Sequence, residues 1–224
     1  MIPIRDDIPA RRIPVINYLL ITLNILIFVF LFLSGPSLES LVYEFALIPS
    51  NFSNGVELGD LTDIFTSMFM HASLLHLVGN MLYLWIFGDN VEDRLGSIRY
   101  LVFYLVGGMA GSLSHFLTNP GSQLPTVGAS GAIAAVLGAY LVLYPRAQVA
   151  TFIPIGFFLR LTMIPASIVL GLWFVLQLFS GVLSFGATEM GGTAFWAHIG
   201  GFVFGVLIGF LAKSMRRQES VITW

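Results

Sequence analysis

The chain is written in long apolar runs separated by helix breakers. Six runs stand out, at approximately 13–34, 71–88, 97–118, 128–145, 161–184 and 194–212. Each is near the ~17–25 residues that an α-helix needs to cross ~30 Å of hydrocarbon at ~1.5 Å per residue. Between them fall Gly35-Pro36, Gly88-Asp89, Asn119-Pro120-Gly121, Pro145 and Gly191-Gly192, all punctuation that stops a helix. No internal repeat or low-complexity tract is present. The expected fold is therefore all-α: a polytopic membrane protein with one six-transmembrane-helix bundle over residues 1–224. A short segment, 1–12, precedes the first span, and a short tail, 213–224, follows the last. The first run is longer than a signal-peptide apolar region and lacks a convincing cleavage site, so it is read as retained.

Charge gives the bundle an orientation. All ten basic residues fall in alternate segments: Arg5, Arg11 and Arg12; Arg94 and Arg99; Arg146 and Arg160; Lys213, Arg216 and Arg217. The loops 35–70, 119–127 and 185–193 contain none. By the positive-inside rule both termini are expected to be cytoplasmic and the three Lys/Arg-free loops outside. The long loop 35–70 carries Glu39, Glu44, Glu57, Asp60 and Asp63 but is also rich in Leu and Phe, so part of it is expected to lie in the interface.

Composition narrows the chemistry. Hydrophobic residues make up 57% of the chain and charged residues 10%, with a mean hydropathy of +0.89, which marks an integral membrane protein. The net charge of −2 comes with no basic patch for nucleic acid. The absence of cysteine excludes disulfides, thiolate metal sites and a cysteine nucleophile.

Within this frame one serine and one histidine share a level. Ser130, in Gly128-Ala129-Ser130-Gly131, lies 16 residues before Arg146, and His198 lies 15 before Lys213. Helix rise puts both ~22–24 Å from the inner face, several ångströms below the outer surface of a ~30 Å core. Gly201, Gly205 and Gly209 form a small-residue ridge on the histidine helix. Gly131, Ala134, Ala135, Gly138 and Ala139 make the serine helix equally thin. Such surfaces allow close backbone approach, which a short Ser–His hydrogen bond requires.

The second span adds His76 and Asn80, four apart on one helical face and near the same depth, as candidate donors to an oxyanion. His71 falls on another face and is read as the start of that helix. Asn24 and Gln177 are read as interhelical polar contacts, and His115 as structural. Serine alone is common in membrane helices. Intramembrane histidine is costly and usually functional, so the combination carries the weight.

Absences sharpen the class of chemistry. There is no His-Glu-x-x-His motif for zinc, and no Asp or Glu lies inside any span, which excludes an intramembrane aspartyl dyad. The same absence leaves His198 without a buried carboxylate partner. A Ser130–His198 dyad remains, a reduced form of the serine-protease triad with no metal and no cofactor.

These residues resemble the rhomboid family of intramembrane serine proteases. The resemblance rests on Phe69-Met70-His71 through His76 and Asn80, on Gly88-Asp89-Asn90-Val91-Glu92-Asp93-Arg94-Leu95-Gly96, on Gly128-Ala129-Ser130-Gly131, and on Ala197-His198-Ile199-Gly200-Gly201 with Gly205. It covers about residues 60–212. It implies that Ser130 is the nucleophile and His198 the general base, with His76, Asn80 and the Ser130 backbone N–H binding the oxyanion. It also implies a lateral gate between the second and fifth helices and a mobile outer cap near Phe195-Trp196. Glu92 and Arg94 are read as a structural clasp on the cytoplasmic side.

The chain departs from the family pattern twice. Residues 35–70 contain neither the Trp nor the Arg that some rhomboids carry there. The position four beyond the serine, aromatic in some members, is Ala134. The resemblance therefore does not say how the imidazole is held in its working tautomer. The implied activity is endopeptidase cleavage of transmembrane protein substrates near the outer leaflet, in contact with membrane lipid and without nucleic acid. Short basic loops favour a prokaryotic plasma membrane. The alternatives are a rhomboid-like protein that binds or escorts membrane clients without cutting them, and a small transporter.

Overall fold

The computed structural model describes residues 1–35, 38–53, 58–156, 158–184 and 193–222. Pro36, Glu57 and the Gly191-Gly192 breaker lie outside these residues. The chain runs β1 (Ile2–Asp6), α1 (Val15–Leu33), α2 (Leu38–Phe45), α3 (Pro49–Ser53) and α4 (Leu58–Thr66), followed by a 3₁₀ turn at Ser67–Phe69. Then come α5 (Leu74–Leu95), α6 (Ser97–Thr118), α7 (Ser130–Leu143), β2 (Gln148–Ile155), β3 (Phe158–Pro165), α8 (Ala166–Leu183) and α9 (Phe195–Ile222).

At the centre stands α7. Ala132, Ala134, Ala135, Val136, Ala139 and Tyr140 are all essentially inaccessible, and α7 packs against α9, α6 and α5. The tightest seam joins α7 to α9. A Cβ at Gly201 would collide with the carbonyl oxygen of Gly131, and one at Gly205 with that of Ala135. Only glycine lets these two backbones approach so closely, as the small-residue ridge implied. Around this centre, outward faces are apolar and exposed, including Leu26, Phe30 and Leu33 on α1 and Leu176, Phe179 and Leu183 on α8. Such a belt suits lipid rather than water. This is an integral membrane protein.

Among the described residues, four helices are long and apolar enough to cross a membrane: Val15–Leu33, Ser97–Thr118, Ala166–Leu183 and Phe195–Met215. A fifth span arises if Leu58–Phe69 and Leu74–Leu95, bent by 81°, are one broken crossing. The fourth expected span, α7, is only 14 residues long, a rise of ~21 Å against ~30 Å of hydrocarbon. It begins after Gly128, whose φ of 135° ends the preceding loop, and stops where Tyr144 leaves helical geometry.

Three further expectations are corrected. The fold is mostly helical rather than all-α, because β1, β2 and β3 form an antiparallel sheet in that order. β2 and β3 pair from Gln148↔Pro165 to Ile155↔Phe158, and β1 adds at β2 through Ile2↔Phe152 to Asp6↔Val149. The stretch is rich in β-branched and aromatic residues that suit a pleated surface. The fifth helix consequently starts at Ala166 rather than 161. Pro165, extended at ψ 136°, separates strand from helix. The second helix likewise starts at Leu74, with the Ser73 side chain accepting the His76 N–H as N-cap, so His71 precedes it.

The Glu92/Arg94 element ties α5 to α1, α6 and α9. Glu92, 2% exposed, accepts the backbone N–H groups of Ile16 (3.1 Å) and Asn17 (2.7 Å) at the start of α1 and the Ser97 hydroxyl (2.5 Å) at the start of α6. Arg94 donates to the Ala212 carbonyl on α9 (2.7 Å). Glu92 sits on backbone N–H groups that the N-terminus of α1 leaves open, while Arg94 ties α5 to a carbonyl within α9. At the same end, Asp6 of β1 accepts from Asn90 (3.0 Å) and from the Tyr140 hydroxyl, anchoring the sheet to α5 and α7.

Candidate active site

Ser130 opens α7, so its backbone N–H is among those a helix N-terminus leaves without an intrahelical acceptor. The segment in front of it is held from several sides. Gly128 N–H donates to Ser67 O (2.9 Å), and Leu47 and Thr126 exchange backbone bonds of 3.2 and 2.8 Å. Loop 119–127 is thereby stitched to the polar turns between α2 and α5. His198 lies on the first turn of α9, directly across the glycine seam.

The two side chains meet. Ser130 Oγ lies 2.7 Å from His198 Nε2. The other ring nitrogen, His198 Nδ1, lies 2.7 Å from Gln177 Oε1 on α8. The Trp173 ring, one turn earlier on α8, packs against the His198 ring with centroids 5.8 Å apart and planes tilted by 34°. Gln177, read from sequence as an interhelical contact, is therefore a contact to the site itself. The position four beyond the serine is small for a packing reason: a Cβ at Gly201 would lie 3.4 Å from that of Ala134. An aromatic ring there would meet the α9 backbone. The ring beside His198 comes from α8 instead.

The second-helix groups converge on the same point. A Cβ built on Gly128 would lie 3.0 Å from His76 Nε2 and 3.7 Å from Asn80 Nδ2, so both nitrogens border the backbone two residues before Ser130. Asn80 is buried, and its Nδ2 donates to His71 Nε2 at 2.9 Å. An amide nitrogen carries two hydrogens, so one remains for a ligand. His71 also packs edge-on against His76, with ring centroids 5.1 Å apart. Sequence reading missed this partner of Asn80. The signal was the nine-residue spacing from His71 to Asn80, which a straight helix puts on different faces and the 81° bend before α5 reconciles.

Ser130, His198, His76 and Asn80 line one cavity of about 1090 Å³. Phe195 and Trp196 line it too, as does His115. His115 is tied to Thr126 Oγ1 (3.1 Å) in the 119–127 loop, in keeping with a structural role. Among the described residues, no cluster of three His, Asp or Glu side chains could hold a metal ion. The arrangement can do one kind of chemistry well. It offers a hydroxyl hydrogen-bonded to an imidazole, beside N–H donors at the positive end of a helix dipole.

Comparison with known proteins identifies relatives of this chain. The Rhomboid domain profile matches residues 58–214. The chain is 37% identical over 130 residues to Rhomboid protease GluP of Bacillus subtilis, covering 57% of this chain and 24% of that protein. It is 33% identical over 151 residues to Rhomboid protease GlpG of Haemophilus influenzae, covering 67% and 69%. It is 31% identical over 162 residues to Rhomboid protein 1, mitochondrial, of Saccharomyces cerevisiae, covering 70% and 43%. The chain thus spans less than half of the Bacillus and yeast relatives. A profile match across most of the chain, over the segment that carries His76, Asn80, Ser130 and His198, makes this chain a member of the rhomboid family.

Proposed function

We propose that the chain is an intramembrane serine endopeptidase that hydrolyses peptide bonds in or beside transmembrane segments of membrane proteins. The observation that carries this reading is the 2.7 Å approach of Ser130 Oγ to His198 Nε2 on the wall of the cavity. Relatives named as proteases support it. In this reading His198 takes the hydroxyl proton on Nε2 as Ser130 Oγ attacks the scissile carbonyl. The oxyanion that forms is held by the Ser130 backbone N–H, His76 and Asn80. His198 then delivers its proton to the leaving nitrogen, the C–N bond breaks, and an ester on Ser130 remains. Water, deprotonated by His198, attacks the ester; Ser130 regains its proton and the acid product leaves.

Neither metal nor cofactor enters these steps. The carbonyls of a substrate helix are hydrogen-bonded and shielded, so the cut segment must unwind, and small residues and helix breakers are expected at the cleavage site. Entry between α5 and α8, under an outer cap at Phe195 and Trp196, fits the family resemblance. The proposed organisation is a single six-span domain with both termini cytoplasmic and the cavity toward the outer face of a prokaryotic plasma membrane. The positive-inside distribution supports that orientation.

The test is cleavage of a single-span reporter by purified protein in liposomes. Ser130→Ala and His198→Ala should each reduce cleavage to the uncatalysed background while leaving thermal stability unchanged. Cleavage at the parent rate by either folded variant would remove the assignment.

A further inference from the structure

We propose that Gln177 is a positioning residue for the Ser130–His198 pair, its amide oxygen accepting the His198 Nδ1–H and so keeping Nε2 free to take the serine proton. The inference rests on the serine-protease reading above. A neutral imidazole carries one N–H, and only one of its two tautomers can act as a base toward Ser130. The lone pair must be on Nε2, 2.7 Å from the hydroxyl. An amide oxygen accepts and cannot donate, so Gln177 Oε1 at 2.7 Å requires the proton on Nδ1. The two contacts are on opposite sides of the ring and are mutually consistent.

An amide is well suited to this place. A carboxylate doing the same task would bring a full charge into hydrocarbon, where ionisable side chains are expensive. The amide oxygen supplies a partial negative charge aimed at Nδ1, which favours the imidazolium formed during the reaction without an ion of its own. The neighbouring contacts fix the ring as well as the proton. Trp173 is four residues before Gln177, on the same face of α8, and its ring packs on both His198 and Phe202 (centroids 5.8 and 6.0 Å). Phe174 stacks on Phe202 at 4.5 Å and holds α8 against α9. One face of α8 thus replaces the support that some family members draw from the position of Ala134. The serine, the histidine and the group that orients it come from three different helices.

The experiment uses the full chain in lipid nanodiscs with ¹⁵N-labelled histidine, together with reporter cleavage in liposomes. In the parent protein, His198 should show the nitrogen shifts of the Nδ1–H tautomer. Gln177→Leu should give a mixed or Nε2–H state and lower kcat by about tenfold or more with KM within about twofold. Gln177→Glu, whose neutral carboxyl presents a carbonyl oxygen at the same reach, should return the Nδ1–H signature and recover most of kcat. An unchanged tautomer or unchanged kcat in Gln177→Leu would overturn the proposal. So would equal losses in the Leu and Glu variants, which would indicate packing alone. If the parent protein cuts no reporter, the protease reading fails, and the tautomer measurement still decides whether Gln177 sets the proton.

Discussion

His71 illustrates how one side chain can act through another. It touches Asn80 at 2.9 Å and the ring of His76 edge-on, so it fixes the two groups assigned to the oxyanion. Removing a preorganised donor removes an interaction made fully only in the transition state. Asn80→Ala and His76→Ala are each expected to lower kcat by about 10²-fold, with KM changed little, in the liposome cleavage assay. His71→Ala should cost less, because Asn80 keeps its place on α5 and loses only its orientation. A His71→Ala variant more impaired than Asn80→Ala would mean that His71 acts by another route. At this scale, Ser130 and His198 were legible because matched depth needs only helix rise and the positive-inside rule. Gln177, Trp173 and His71 were not. Gln177 is the one amide in the α8 run and was read as an interhelical contact, but a polar position on one helix does not name its partner on another, so its pairing with His198 was not readable.

Among the elements, the α7–α9 seam has the narrowest tolerance. Gly205 faces the Ala135 carbonyl so closely that any side chain must separate the helices. Gly205→Val is expected to lower stability by more than the ~1–3 kcal/mol typical of overpacking, since backbone cannot rotate aside as a side chain can. Thermal unfolding in detergent checks this, and activity should fall with it because the seam sets the Ser130–His198 distance. A fully stable, fully active Gly205→Val would contradict the packing account. The glycine ridge was readable from its four-residue spacing. The sheet was not, because β3 runs without interruption into the apolar run of α8. An apolar stretch alone does not distinguish a buried strand from the start of a helix. Only Pro165, in retrospect, marks the border.

For the molecule as a whole, the sheet end and the cavity end are joined through α7. Ser130 stands at one terminus of that helix, and Tyr140, near the other, bonds Asp6 of β1. Burial raises the Asp6 carboxyl above its ordinary value of 3.8, with hydrogen bonds from Tyr140 opposing it in part. A folded-state value above the unfolded one means that the protonated form favours the anchored sheet. That contribution is complete below 3.8 and is lost as pH rises through the raised value. Hydrogen exchange of β1 should therefore quicken across that interval, and Asp6→Asn should flatten the dependence; an unchanged profile in Asp6→Asn would assign the effect to another group. The overall plan was legible in outline because breakers and charges divide the chain cleanly. The C-terminal limit of α7 was legible as well, because Pro145 follows Tyr144, where helical geometry ends.

The central claim is that Ser130 is a nucleophile activated by His198. Its most direct test is labelling with a serine-directed fluorophosphonate followed by peptide mass spectrometry. The expected result is one adduct, on Ser130, in active protein, with cleavage lost in proportion to labelling and little or no adduct in His198→Ala. Active protein that remains unlabelled at Ser130, or labelling of His198→Ala at the parent rate, would contradict it.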